Sequence, residues 1–287
     1  YKIVHSHINT LSVFSLFAAK CAGVPVRIAH SHSTTNKQEK KKNLVKQVLR
    51  PFSKVFATDY MACTEHAGRW LFGNKEYDNG NVYLLNNAID LDKFKYDEKL
   101  RKEKRKELNI KEDTLVIGHV GRFVEQKNHR FLIDIFNEVH KQNKNSILLL
   151  IGQGPLMEEM KEKVDSLGIS DSVKFLSQRE DVSELYNAMD LFLFPSLYEG
   201  LGMVLIEAQA NGLPCVASTE VPAIAKVTEK LTFMNLESGV EIWIKAIFSY
   251  LKDVNRKNII LNDELKKYDI KSESYKLEEI YLKKSEE

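Results

Sequence analysis

The sequence predicts an α/β protein built from two doubly wound parallel sheets, of which the first is incomplete. Stretches typical of strands and of helices alternate along the chain with short connections, which is the pattern of parallel sheets with helical crossovers. The strand-like stretches are apolar throughout, and this indicates sheets that are covered by helices on both faces. A length of 287 residues fits two domains at roughly 100–200 residues each.

The second half of the chain shows this alternation most clearly. Five strands are predicted, at residues 115–120, 147–151, 173–176, 191–195 and 214–217. Four helices are predicted between them, at residues 128–141, 155–168, 181–189 and 203–211. The helices rest on apolar residues at helical spacing, on Pro155 at a first helical turn, and on Gly168 and Gly212 at helix ends.

The first part of the chain reads as a similar but shorter unit. Its predicted strands lie at residues 3–8, 26–30, 60–64 and 82–85, and its predicted helices at 11–22, 41–50 and 65–72. A charged helix around 99–107 is predicted in the connection between the domains, and a helix over 268–282 is predicted to pack back on the first domain. The predicted division is a partial N-terminal domain at 1–90, a C-terminal domain at 91–267 and a terminal helix at 268–287.

The composition excludes several classes of protein. Lys and Arg number 42 against 40 Asp and Glu, and a net charge of +2 gives no general case for nucleic-acid binding. Three scattered cysteines are too few for a disulfide framework or a zinc site, so we expect a reduced, cytoplasmic compartment. No apolar run approaches the ~18 residues of a membrane span, and no signal peptide is visible. Because Tyr1 opens directly into a strand-like run, we also expect sequence upstream of it.

The strongest functional signal is the stretch 194–208, where a buried strand runs through a glycine-rich turn into a helix. Ligands of such sheets bind at the carboxyl ends of the strands, and a helix N-terminus after glycines favours an anion such as phosphate. Glu199 in the turn and Glu207 in an otherwise apolar helix could each accept hydrogen bonds from adjacent hydroxyls of a sugar or ribose. The alternative is that both are solvated surface carboxylates.

Two further strand-to-helix turns carry weaker signals. Arg122 offers a planar guanidinium fork and Lys127 a point charge, and both suit a diphosphate. The alternative is a solvated basic loop, which is the usual state of such a loop in isolation. Residues 152–155, Gly-Gln-Gly-Pro, resemble half of a dinucleotide fingerprint, and the alternative is a plain tight turn. Because Met157 stands where the third glycine would be and no acidic residue ends the next strand, a nicotinamide dehydrogenase is disfavoured.

The histidines are ambiguous in the sequence. His5 and His7 alternate on one predicted strand, and His30 and His32 stand at the end of another. There they could face a substrate, ligate a metal or cap the sheet. No acidic partner with metal-ligand spacing accompanies them, and this disfavours a metal site.

Two basic runs, at 37–42 and 99–107, are typical of solvated helix faces. The alternative is attraction to anionic lipid headgroups, which would suit a peripheral enzyme on the inner face of the cytoplasmic membrane.

The three turns occur in one order and at compatible spacing. Gly-Arg-Phe with Gln-Lys-Asn at 121–128, Ile-Gly-Gln-Gly-Pro-Leu at 151–156, and Phe-Pro-Ser with Glu-x7-Glu at 194–207 together resemble the nucleotide-sugar half of a known family. That family is the retaining glycosyltransferases of the GT-B fold, family 4, also called glycosyl transferases group 1. Residues 4–7 resemble a strand in the middle of the family's N-terminal domain, and residues 86–90 resemble the strand end that leads into its second domain, with Ala88 where Gly is usual. Residues 27–33 and the C-terminal tail resemble the bacterial exopolysaccharide and capsule members.

The resemblance implies transfer of a sugar, with retention of configuration, from a nucleotide diphosphate donor to a glycan or lipid-linked acceptor. UDP is the common nucleotide among the exopolysaccharide relatives, and no cofactor or bound metal is implied. The implied roles are diphosphate binding by Arg122 and Lys127, donor-sugar binding by Glu199, backbone contacts to sugar and phosphate at Gly200, Leu201, Gly202 and Met203, ribose binding by Glu207, a position beside the base for Arg179, and a catalytic-site histidine at His30 or His32. The glycine-rich N-terminal loop of the family would lie upstream of Tyr1, so this chain by itself would bind donor without transferring it.

Other functions stay open from the sequence alone. One is a different GT-B enzyme, such as a sugar-nucleotide epimerase, although the Glu-x7-Glu spacing favours transfer. Another is a nucleotide-sugar-binding protein without catalysis. A nucleic-acid binder is disfavoured because the basic runs lack interleaved aromatic residues.

Overall fold

The structure of the chain is a computed structural model that describes residues 1–32, 40–251, 256 and 262–286. It divides into two compact units. The first comprises Tyr1–Ala88 with Lys267–Glu287, and the second Ile89–Lys266. The boundaries therefore fall at 88 and 266, where the sequence predicts 90 and 267.

The first unit is built on a parallel sheet with the strand order β1-β2-β3-β4. The strands are β1 Ile3–Ser6, β2 Val26–Ser31, β3 Asp59–Ala62 and β4 Val82–Leu84. The helices between them are α1 Ser12–Cys21 after β1, α2 Lys40–Leu49 after β2, and α3 Glu65–Phe72 and α4 Asn74–Asp78, which both lie between β3 and β4. Short 3₁₀ turns precede α1 at Asn9–Leu11 and follow α2 at Arg50–Lys54. The predicted strand 3–8 ends early, at Ser6, because the chain turns into the first of these 3₁₀ segments.

The second unit is a six-stranded parallel sheet with helices on both faces. Its strands are β5 Leu115–Val120, β6 Ser146–Ile151, β7 Val173–Leu176, β8 Leu191–Phe194, β9 Cys215–Ser218 and β10 Leu231–Met234. Its helices are α5 Glu98–Glu107, α6 His129–Gln142, α7 Met157–Ser166, α8 Val182–Ala188, α9 Met203–Ala210, α10 Val240–Tyr250 and α11 Asp263–Lys266. The five predicted strands are confirmed. The sequence did not predict β10 or α10. Trp243, which lies on α10, is fully buried in the core.

The strand order of this sheet, β10-β9-β8-β5-β6-β7, positions the site. The chain starts in the middle at β5, builds outward through β6 and β7, and then returns to the other side of β5 with β8. The order therefore reverses between β5 and β8, and ligands of doubly wound sheets bind in the crevice outside such a reversal. The β5–β8 ladder covers Ile117 and Gly118 alone, whereas β5 pairs with β6 along its whole length. The two central strands therefore separate towards their carboxyl ends.

The first sheet is covered by helices on both faces. Leu16 of α1 and Leu71 and Phe72 of α3 pack on one side. The other side carries the last helix, α12 Ile270–Glu286, which places Leu277 and Ile280 against Val26, Ile28 and Met61 in the core of this unit.

Polar contacts hold α12 to the same unit. Glu273 accepts a hydrogen bond from the backbone N–H of Asn86 at 2.7 Å, and Lys284 pairs with Asp59 at 2.9 Å. No helix in the described part of the chain combines the length and apolar character that a bilayer span requires.

Candidate functional site

The loops that follow β5 and β8 meet at the reversal of strand order in the second unit. Lys127, from the first loop, places its Nζ 2.6 Å from Oε1 of Glu199, from the second loop. Their side chains are 15% and 7% exposed, so the ion pair is largely shielded from water. The Lys127 ammonium also lies 4.6 Å from the ring centroid of Phe194, at the end of β8. Two residues that the sequence predicts as separate ligand contacts are thus direct partners.

Further hydrogen bonds clamp the two loops together. The backbone N–H of Leu197 donates to the carbonyl of Gln126 at 2.8 Å, and Gln126 Nε2 donates to the carbonyl of Tyr198 at 3.0 Å. Asn128 adopts a left-handed conformation at φ 54° and donates to the carbonyl of Pro195 at 3.1 Å. The loops therefore form one preorganised surface. Gln126 was not singled out from the sequence, because its role depends on a loop that lies far away along the chain.

Arg122 differs from Lys127 in being exposed. Within the described residues, its guanidinium has no hydrogen bond or ion pair, so its fork geometry is available to an anion. It lines a cleft of about 620 Å³ at the carboxyl ends of β5, β6 and β7. Gln178 and Arg179 line the far side of that cleft.

The guanidinium of Arg179 is already occupied. It donates to both carboxylate oxygens of Asp181 and to Glu107, each at 2.7 Å. The side chain therefore has few N–H donors left for a ligand. The prediction that Arg179 lies beside a base now depends only on its position in the wall of the cleft.

The glycines after β6 have a packing role. A Cβ on Gly152 would lie 2.1 Å from the carbonyl oxygen of Gly121, and one on Gly154 would lie 2.4 Å from that of Phe123. Gly152 also has φ +142°, a conformation that side-chain-bearing residues rarely adopt. Only glycine lets this turn lie directly against the loop that carries Arg122, and that contact shapes the wall of the cleft.

The turn after β8 leads into α9 through Gly202, which has φ +80°. No side chain caps this helix, so its first backbone N–H groups have no side-chain acceptor. Gly200 is exposed, Leu201 is buried, and Met203 is half-buried. The turn therefore presents backbone donors and a helix N-terminus beside the Lys127–Glu199 pair, which is an arrangement suited to an anion.

Glu207 lies on α9 and is held by a buried tyrosine. The Tyr186 hydroxyl, from α8, donates to Oε2 of Glu207 at 2.8 Å. Burial raises the pKa of the Glu207 carboxyl, and the hydrogen bond from Tyr186 opposes that rise. Burial also raises the pKa of Tyr186 well above 10, so its hydroxyl keeps its proton and serves as a donor. Sequence reasoning missed Tyr186, since an aromatic residue in an apolar helix is usually core.

Two buried histidines lie beneath the Arg122–Lys127 loop. His119 Nδ1 donates to the carbonyl of Leu193 at 2.9 Å and so bridges β5 and β8 where their ladder has ended. His129 stacks on Phe123 at 4.1 Å between ring centroids. Burial lowers the pKa of His119 well below 6.5 and that of His129 to about 4. Both rings are therefore neutral at pH 7, and the positive charge of the loop resides on Arg122 and Lys127.

In the first unit, four histidines from β1, β2 and the residues directly after them form two hydrogen-bonded pairs. His5 Nε2 lies 3.0 Å from His30 Nδ1, and His7 Nδ1 lies 2.8 Å from His32 Nε2. His32 Nδ1 in turn lies 3.0 Å from Oδ1 of Asn87. Because Asn87 Oδ1 can only accept, His32 carries its proton on Nδ1 and accepts from His7 through Nε2. Nε2 of the exposed His7 is then unprotonated, and it has no hydrogen-bond donor among the described residues.

The two predicted catalytic histidines, His30 and His32, differ in how far they are buried. His30 is 2% exposed, and burial lowers its pKa to about 2, so its ring remains neutral and shielded from solvent. His32 is half-buried with both ring nitrogens engaged, whereas His7 is exposed. The surface group of this cluster is thus His7, which was noted on the strand but not chosen as a site residue.

The histidine cluster also brings possible metal ligands together. Ligand atoms of His5, His7 and His30 lie within 4.8 Å of one another. The hydrogen bonds between the rings use His5 Nε2, His30 Nδ1 and His7 Nδ1, so a cation bound through any of these three nitrogens would have to displace a hydrogen bond.

The structure describes only part of the basic run at 37–42, whereas it describes the run at 99–107 completely. Residues 37–39 lie outside the described part of the chain, and the rest of that run opens α2. In α5, three of the lysines have acidic partners. Lys99 and Lys102 pair within the helix, and Lys104 pairs with Asp181 at 2.6 Å and with Glu184 at 2.8 Å. The charge of α5 is therefore balanced in large part within the second unit.

Comparison with known proteins identifies the family. Residues 101–277 match the family described as glycosyl transferases group 1, and this is more than half of the chain. The chain belongs to this family. The putative glycosyltransferase EpsF of Bacillus subtilis is 38% identical over 256 residues, which cover 86% of this chain and 65% of that protein. A UDP-Gal:alpha-D-GlcNAc-diphosphoundecaprenol alpha-1,3-galactosyltransferase of Escherichia coli is 29% identical over 225 residues, which cover 76% of this chain and 58% of that protein. The chain thus spans less than two thirds of the length of either relative.

Solved structures agree with the fold. The crystal structure of HepE (Alr3699) from Anabaena in complex with UDP and glucose has a TM-score of 0.81 and 20% identity, covering 99% of this chain and 78% of that chain. Sucrose-phosphate synthase from Thermosynechococcus elongatus has a TM-score of 0.78 and 19% identity, covering 99% of this chain and 73% of that chain. The predicted pair of Rossmann-like GT-B domains is confirmed.

Proposed function

We propose that this chain is part of a glycosyltransferase of polysaccharide biosynthesis that takes a sugar from a nucleoside diphosphate donor, with UDP as the nucleotide. The acceptor is a glycan or a lipid-linked glycan, and the sugar keeps its anomeric configuration. No metal takes part, and the enzyme works at the cytoplasmic side of the membrane. Support comes from family membership and from relatives named as a putative glycosyltransferase, a capsular polysaccharide biosynthesis glycosyltransferase and a GlcNAc-diphosphoundecaprenol galactosyltransferase.

The observation that carries the proposal is the meeting of two loops at the reversal of strand order. Arg122 would hold the diphosphate through its free guanidinium. Lys127 would add a charge-assisted hydrogen bond to the same oxygens while it remains near Glu199. Backbone N–H groups at the start of α9 would bind the remaining phosphate oxygens. Together these groups would stabilise the charge that develops on the leaving diphosphate.

Two carboxylates would hold the sugars of the donor. Glu199 would accept hydrogen bonds from donor-sugar hydroxyls, with its orientation fixed by Lys127. Glu207 would accept from the ribose hydroxyls through Oε1, since Oε2 already accepts from Tyr186. The cleft between the loops after β5 and β7 would take the base, with Arg179 on its wall. The histidine cluster of the first unit would serve the acceptor side, with His32 orienting His7.

The test is calorimetric titration of this chain with UDP, GDP and ADP in metal-free buffer. We expect UDP to bind and Lys127→Ala to lose at least tenfold in affinity, or about 1.4 kcal/mol. Lys144→Ala, an exposed lysine away from the cleft, is the matched control and should bind as the parent does. If none of the three nucleotides binds, the donor site is wrongly assigned for this chain. If GDP or ADP binds in place of UDP, the site stands and the base is corrected.

A further inference from the structure

The first of two hydrogen-bond chains in the histidine cluster runs from His7 through His32 to Asn87. His7 Nδ1 lies 2.8 Å from His32 Nε2, and His32 Nδ1 lies 3.0 Å from Asn87 Oδ1. Because the Asn87 oxygen can only accept, the chain places the proton of His7 on Nδ1. Nε2 of the exposed His7 therefore carries a lone pair, and no described residue donates a hydrogen bond to it.

The second chain runs from His30 through His5 to Tyr281 of α12. His30 Nδ1 lies 3.0 Å from His5 Nε2, and His5 Nδ1 lies 2.6 Å from the Tyr281 hydroxyl. The second ring nitrogen of His30, Nε2, is buried and has no hydrogen-bond partner of normal geometry among the described residues. The nearby Leu85 carbonyl only opposes part of the fall that burial causes in the pKa of this ring.

This geometry selects the tautomer of His30. A proton on Nε2 would be a buried donor without an acceptor, which is costly, whereas a proton on Nδ1 is donated to His5. The second chain, like the first, therefore ends at an unprotonated Nε2.

Two histidines prepared in this way are suited to a transition metal. A histidine that ligates a metal usually donates its other ring N–H to a neighbouring acceptor, which fixes the tautomer and the orientation of the ring. Here His32 accepts from His7, and His5 accepts from His30. Imidazole nitrogen suits zinc and similar transition metals, whereas magnesium and calcium prefer oxygen ligands.

The two rings are close enough to share one ion. The ring centroids of His7 and His30 are 5.0 Å apart, and these residues have ligand atoms within 4.8 Å of each other. On a tetrahedral zinc ion, with Zn–N distances of about 2.0–2.1 Å, two ligand nitrogens lie about 3.3 Å apart. The rings must therefore rotate towards a common centre, and the exposure of His7 permits this movement.

We propose that His7 and His30 bind one zinc ion through their Nε2 atoms, with water in its remaining coordination positions. Neither of these nitrogens is used by the hydrogen bonds of the cluster, so both chains persist when the ion binds. The sequence disfavours a metal site because no acidic partner accompanies the histidines, but in the structure neighbouring imidazoles supply the acceptors.

The zinc ion takes no part in sugar transfer. Bound to His7, it would block a residue that we assign to the acceptor side, and this consequence alone rests on the proposed function. Zinc binding itself requires no nucleotide. A failure of the zinc site and a failure of the donor site are therefore distinguishable.

The experiment is calorimetric titration of the full chain with zinc chloride in the absence of nucleotide. We expect one zinc ion per chain, and His7→Gln should lower the affinity at least about tenfold. The matched control is His66→Gln, which removes an exposed histidine of α3 in the same unit and should bind zinc like the parent. No zinc binding by the parent, or equal affinities of the parent and His7→Gln, would overturn the proposal.

Two substitutions of Asn87 test whether the first chain prepares His7. Asn87→Leu removes the acceptor, so His32 can take the other tautomer and move the His7 proton to Nε2. We expect a loss of at least about tenfold in zinc affinity. Asn87→Asp keeps an acceptor at this position and should bind zinc at least as tightly as the parent. If the two variants bind zinc equally, the chain does not prepare His7 and the proposal is wrong.

Ring-nitrogen NMR of the unsubstituted chain tests His30, whose replacement at 2% exposure endangers the fold. Before zinc is added, His7 and His30 should both show the Nδ1–H tautomer. Zinc should then shift the Nε2 signals of these two rings and leave those of His66 unchanged. A proton on Nε2 of either ring, or a zinc-induced shift that is confined to other histidines, would refute the assignment.

Discussion

Replacing Lys127 by methionine should destabilise the second unit as well as weaken UDP binding. The substitution keeps the length of the side chain but removes the charge that lies 2.6 Å from Glu199. Glu199 is 7% exposed and would keep only a 3.3 Å hydrogen bond from Gln126. Removing one partner of a buried ion pair typically costs about 3–5 kcal/mol, and the remaining exposure of Lys127 favours the lower end. We therefore expect a loss of about 3 kcal/mol in the free energy of unfolding.

A double-mutant cycle separates this structural effect from the ligand contact. Glu199→Gln in the Lys127→Met background removes the unpaired carboxylate, so the double variant should recover part of the stability, with a coupling of about 1–3 kcal/mol. Its UDP affinity should remain low, because the cation is still missing. Urea unfolding followed by Trp243 fluorescence, in a Trp70→Phe background, reports on the second unit alone.

The control for the cycle is Lys163→Met. Lys163 pairs with Asp134 at a similar 2.6 Å, but these side chains are 27% and 43% exposed. An exposed pair contributes about 0–1 kcal/mol. If Lys127→Met is as mild as this control, or if the two losses in the cycle are additive, the shielded ion pair does not hold the loops together.

Three shorter predictions follow from the second unit. Tyr186→Phe should weaken UDP binding about tenfold without unfolding the chain, because Glu207 loses its donor; unchanged calorimetric affinity would contradict this. Gly154→Ala should lower the melting temperature by several degrees through a clash with the Phe123 carbonyl, and an unchanged thermal melt would remove that packing argument. The pKa of His129 is about 4 when folded and near 6.5 when unfolded. Stability should therefore fall as pH drops below 6.5, by about 2 kcal/mol for this residue at pH 5, and equal urea midpoints at pH 7 and pH 5 would refute it.

Much of the fold follows from local sequence. Buried parallel strands require continuous apolar runs such as Leu148 to Ile151, and helices between them require apolar residues at a spacing of three to four. Both are short-range properties, so the alternation and most boundaries could be predicted. The sixth strand, β10, was not predicted because Leu231–Met234 is short and half exposed at the edge of the sheet. An edge strand buries one side only partly, and its apolar pattern is correspondingly weak.

The candidate donor site could be predicted as a set of residues but not as a set of contacts. The motifs predicted that Arg122, Lys127, Glu199 and Glu207 each contact the ligand, without predicting contacts among them. That Lys127 and Glu199 form a shielded pair depends on the packing of two loops whose residues are 72 positions apart in sequence. Tyr186 could not be chosen either, because its hydroxyl matters only once α8 and α9 lie side by side.

The histidines show the same division between local pattern and tertiary contact. Their alternation marks two strand ends, and so their presence on one edge of a sheet could be expected. Only the pairing of β1 with β2 brings His7 beside His32, and only the depth of the sheet buries His30 at 2% exposure. The prediction of His30 as a direct catalytic contact is therefore not supported by its burial.

The sequence by itself determined the fold class, the family resemblance and the chemical types at the candidate site, because glycines, charged residues and apolar periodicity are local signals. The tertiary structure decided which loops meet, which carboxylate is paired and which histidine faces water. Those outcomes depend on strand order and on helix packing, which bring together residues from separate parts of the chain and set the degree to which each is removed from water.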